Sequence, residues 1–162
     1  MPRFLQMARL RVEFAHIEHG WVQIRFWVEE NEYEMQFSYV YREVFTHLCA
    51  ALLALLDEKG ERVVFWMEEP EEYEMRFSKT SEIIELQMWR FDSHRRGLGE
   101  KPCLRFEIAG DYAEICVPFW RALKTLRSLY SRDEEFEARW RAPFPDREFA
   151  LLTEALRARR LT

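Results

Sequence analysis

Nine carboxylates crowd two short stretches of the chain. Glu29, Glu30, Glu32 and Glu34 lie in VEENEYEM, and Glu68, Glu69, Glu71, Glu72 and Glu74 lie in MEEPEEYEM. Such groups hold Mg2+ when a rigid frame fixes their oxygens; an unsupported turn is no such frame, so no metal is expected. Charges also blunt hairpin ends and sheet edges against stray pairing, and that is the default expectation. The functional alternative is a concentrated negative surface, which speeds capture of a basic protein partner and selects it by charge.

Other groups with chemical potential are scattered. His16 and His19 have HxxH spacing, but on a strand those positions face opposite sides and make poor co-ligands. His94 sits in a Gly-bearing loop with no nucleophile or orienting acid fixed beside it. Cys49, Cys103 and Cys116 lack CxxC spacing, and an odd count without an export signal predicts reduced thiols rather than a disulfide scaffold. GxGxxG, GxxxxGK[ST], HExxH and GxSxG do not occur. No enzyme and no cofactor is expected.

The elements that must position these residues follow from hydrophobic period. IRFWVEENEYEMQFS, from Ile24 to Ser38, returns as VVFWMEEPEEYEMRFS, from Val63 to Ser78, with one extra residue at its centre. Each copy alternates apolar and polar residues, breaks at acids, then alternates again, which predicts a β-hairpin with an acidic tip. On this reading Phe26 matches Phe65 and Tyr33 matches Tyr73, each pair on one face. Duplication of a hairpin and convergent packing both remain open, because a helix follows the first copy and a strand the second. Leu10, Val12 and Phe14 predict a first strand turning at His19-Gly20. Tyr41 to Asp57 predicts a helix stopped by Lys59-Gly60. Ile84, Leu86 and Met88 predict a strand, and the polar loop DSHRRGLGEKP follows. Leu104, Phe106 and Ile108 are expected to pair with a strand through Ala113, Ile115 and Val117, placing Cys103 opposite Cys116 and Arg105 opposite Glu114. Helices are expected from Phe119 to Ser131 and after Asp146, with residues 132–145 as connector.

The expected fold is therefore one α+β domain over 1–162: a mostly antiparallel sheet of about eight strands, one central helix and two C-terminal helices. The second sheet face would carry Trp21, Trp27 and Trp66. Either the C-terminal segment covers them, or they form an aromatic patch through which the protein self-associates as a homo-oligomer.

Composition narrows the partners. Of 162 residues 48% are hydrophobic and 15% aromatic, with only five Gly, which suits one core and little disorder. The net charge of −5 disfavours nucleic acid. It is unevenly spread: residues 1–91 hold 17 acidic and 10 basic side chains, residues 92–162 hold 12 and 14. The longest apolar run, LCAALLALL, is too short to span a membrane. MPRFLQMARLRVEF shows no signal-peptide pattern, so a cytoplasmic chain is expected.

The order of YREVFTHLCAALLALLDEKGE, VVFWMEEPEEYEMRF, IIELQMWRF and LRFEIAGDYAEICVPFWRALKTL, within Val22 to Leu129, resembles the WapI-type immunity proteins of bacterial polymorphic toxin systems. The resemblance implies a small cytoplasmic α+β protein that binds and neutralises a cognate toxin without catalysis. It implies no catalytic residues. Residues 132–162 lie outside it. The expected function is thus an immunity-type inhibitor of a basic toxin, and the alternative is an assembly protein of a phage or host complex.

Overall fold

The computed structural model describes residues 9–94, 97 and 100–162. Residues 1–8 and part of the polar loop after Asp92 therefore lie outside it. Three strands come first: β1 (Leu10–Glu18), β2 (Trp21–Val28) and β3 (Asn31–Ser38), antiparallel in that order. Their turn at His19-Gly20 needs left-handed backbone at both residues, φ +55° and +77°, which suits the twist of a two-residue hairpin. Gly20 is required twice over, since a Cβ there would meet the Tyr39 ring at 2.4 Å.

The helix α1 (Val44–Asp57) then leads to a second antiparallel sheet, β4 (Gly60–Met67), β5 (Glu72–Thr80), β6 (Ile83–Phe91) and β7 (Cys103–Gly110), again in chain order. Lys79 Nζ donates to the Leu55 and Leu56 carbonyls at 2.7 and 3.2 Å. It thus satisfies acceptors that a helix end leaves open. The remaining elements are helical: the single turn α2 (Tyr112–Ile115), then α3 (Val117–Leu129), α4 (Asp133–Trp140) and α5 (Asp146–Ala158).

Four expectations are corrected here. The described residues hold seven strands in two sheets, not about eight in one. The segment through Ala113, Ile115 and Val117 is helix rather than an eighth strand. Its alternation is overridden by a capping box: Asp111 Oδ1 accepts from Glu114 N at 2.9 Å while Glu114 Oε2 accepts from Asp111 N at 2.8 Å. Pro118 lies in the first turn of α3, where its missing N–H costs nothing. Cys116 is therefore buried at the start of α3 while Cys103 is exposed on β7, and the expected Cys103–Cys116 and Arg105–Glu114 pairings do not form. Finally, one central and two C-terminal helices undercount: residues 132–145 contain α4, whose Phe136 and Trp140 are buried.

One apolar cluster joins the inner faces of both sheets to α1, α3, α4 and α5. Phe26 of the first sheet meets Phe106 of the second with ring centroids 5.1 Å apart, Phe37 meets Trp66 at 5.0 Å, and Phe45 of α1 meets Trp140 of α4 at 5.1 Å. Each such ring contributes about 1.5–3 kcal/mol by leaving water. The C-terminal helices are tied on by polar contacts: Trp120 Nε1 donates to Thr153 Oγ1 at 2.9 Å, and Arg127 reaches Asp146 at 2.9 Å. Gly20 N donates to the Arg139 carbonyl at 2.7 Å, fixing α4 against the β1–β2 turn. Among the described residues no helix is long and apolar enough to cross a membrane.

The two EYEM hairpins do form, but they are not equivalent. Phe26 is 1% exposed and Phe65 44% exposed. The extra residue explains this. In the first hairpin Val28 pairs with Asn31, leaving a two-residue turn, and Phe26 pairs with Tyr33. In the second, Met67 pairs with Glu72, leaving four residues, and Trp66 rather than Phe65 pairs with Tyr73. The pairing has slipped by one, and a one-residue slip sends each side chain of a strand to the opposite face. The second arms keep their faces, with Met35 and Phe37, like Met75 and Phe77, buried.

Candidate functional site

The first acidic tip stands in solvent. Glu29 takes φ +56°, and its N–H donates to the Arg9 carbonyl at 2.8 Å, which anchors the turn to the chain just before β1. A left-handed residue other than Gly costs about 1–2 kcal/mol, but His19 and Ser81 are left-handed too, so the geometry alone does not mark the tip. Glu29, Glu30 and Glu32 are exposed and form no ion pair among the described residues. Glu34, also exposed, accepts from Arg25 Nε at 3.1 Å and from Gln23 Nε2. On the same outer face the Arg11 guanidinium lies 3.7 Å over the half-buried Trp27 ring, and Trp21 is half-buried at the other end of β2.

The second tip is built into the protein. Glu68 N donates to the Glu71 carbonyl at 2.8 Å, and His94 N donates to the Pro70 carbonyl at 3.2 Å. Glu69 is exposed, with φ +49°. Glu71 is half-buried against Arg90 Nη2 at 2.9 Å, and that hydrogen bond holds its carboxyl below the usual carboxylate range. Burial pushes the Glu68 carboxyl up, opposed by a hydrogen bond from Tyr73. Burial also raises the Tyr73 phenol, to about 12. Glu72 is buried and accepts from Tyr41 Oη; Glu74 is buried with Arg76 Nη2 at 2.5 Å.

Trp66 belongs to neither surface. It is 1% exposed, packed between Phe37 and Phe45, with its Nε1 lacking a hydrogen-bond partner among the described residues. Trp21, Trp27 and Trp66 therefore do not share a face: the first two lie on the outside of one sheet, the third on the inside of the other. His16, His19 and His94 are all exposed. Among the described residues no group of three or more His, Cys, Asp or Glu is placed to hold a metal ion.

A feature that the sequence pattern did not single out lies beside the second tip. A groove of about 840 Å3 runs between the β3–α1 connector, the edge strand β4 and the α4–α5 connector. Val40 and Phe65, nearly half exposed, give it an apolar wall; Arg42, His47, Arg141 and Pro143 line the rest, and Glu72 sits in its side. Phe65 reaches it only because of the register slip. The signal for the slip in the sequence is the single inserted residue at the tip, which lengthens the turn from two residues to four.

Compared with protein-family models, with curated proteins and with solved structures, the chain matches none of them.

Proposed function

We propose that this is a non-catalytic, cytoplasmic binding protein of the immunity type, which captures a basic toxin domain and neutralises it by occupying its cationic face. The observation that carries the reading is the first tip: Glu29 and Glu30 on the two-residue turn and Glu32 at the start of β3 are exposed, with no ion pair among the described residues. A basic partner attracted by these charges associates faster, by about 10- to 1000-fold in steered encounters, and the gain fades with ionic strength. The order of elements that resembles WapI-type immunity proteins supports the same reading. Self-association through an aromatic face is less favoured, because Trp66 is in the core.

The test uses a basic partner captured from the source cell and its association measured by stopped flow. Reversing Glu29, Glu30 and Glu32 to Lys is expected to slow association about tenfold or more at low salt, with dissociation changed less. Equal on-rates for wild type and variant at low salt would reduce the tip to a solvated turn.

A further inference from the structure

We draw no further inference here: the strongest candidate, the groove between the β3–α1 connector, the edge strand β4 and the α4–α5 connector, is lined by Glu43, Glu72 and Glu137 as well as by Arg42 and Arg141, and nothing in the structure shows what covers its apolar wall.

Discussion

The two EYEM hairpins carry nearly the same residues, and the protein uses them in different ways. In the first, β2–β3, the acidic tip is exposed and its aromatic Trp27 lies outside under Arg11. In the second, β4–β5, Glu72 and Glu74 are buried, Glu71 is clamped by Arg90, and Trp66 is in the core. One inserted residue at the turn accounts for the inversion of the leading arm, because turn length sets register and register sets face. Likeness of sequence between the copies therefore does not carry likeness of role. A carboxylate's job is decided by the cation or hydroxyl the fold brings to it.

The largest expected difference is at the matched tryptophans. Trp66→Ala should cost about 3–5 kcal/mol by opening a core cavity, whereas Trp27→Ala, which removes a half-buried ring under a guanidinium, should cost about 1–2 kcal/mol. Urea denaturation followed by far-UV circular dichroism measures both; similar losses would mean that the two arms face the same way after all.

Next come the matched glutamates Glu74 and Glu34. Glu74→Ala strands a partly buried Arg76 and should cost about 1–3 kcal/mol, while Glu34→Ala, in an exposed pair with Arg25, should cost about 0.2–1 kcal/mol. The same denaturation curves decide it.

Thiol access sharpens the correction at the start of α3. Cys103 is exposed, Cys49 and Cys116 are buried, and burial raises the Cys49 thiol to about 12 and the Cys116 thiol further. Native protein should react with a thiol reagent at one site quickly and at the other two only on unfolding. Three fast sites would contradict the buried placement.

The smallest effect concerns pH. Burial raises the Glu68 carboxyl in the folded state, so keeping it ionised at neutral pH opposes folding, and that penalty is relieved as pH falls through the raised folded value. Glu68→Gln should therefore raise the melting temperature at pH 7, with the gain shrinking toward pH 4. Glu71 has the opposite sign: its lowered carboxyl adds stability above the unfolded value that is lost in acid, so Glu71→Gln should lower the melting temperature at pH 7 and less so in acid.

Much of the chain was legible from period alone. Leu10–Glu18, both hairpins, the helix over α1, the strand at Ile84 to Met88 and the last helix all follow from alternation or helical spacing, because each buries one face. What failed did so for physical reasons. Ala113, Ile115 and Val117 alternate like a strand, but Asp111 and Glu114 close a capping box that favours helix locally. Residues 132–145 read as connector because only Phe136 and Trp140 of α4 are buried. The split into two sheets was hidden because alternation reports which side is wet and not which strand lies alongside. For the same reason the tip residues were legible as charged turns but not as exposed or buried. Glu72 and Tyr41 are 31 residues apart in sequence, and nothing local announces their contact. Tyr41, Glu72 and Phe65, the last turned outward by the register slip, all line the groove.

The claim that the two acidic tips do different work is tested most directly by two triple variants compared in urea. One carries Glu29, Glu30 and Glu32 changed to Lys; the other carries Glu71, Glu72 and Glu74 changed to Lys. Solvated surface changes usually stay within about ±0.5 kcal/mol each, so the first variant should unfold near the wild-type midpoint. The second places charge of the wrong sign at buried positions and beside Arg76 and Arg90, and one uncompensated buried charge alone costs about 3–5 kcal/mol, so it should be largely unfolded in buffer. Equal midpoints for the two variants would contradict the account.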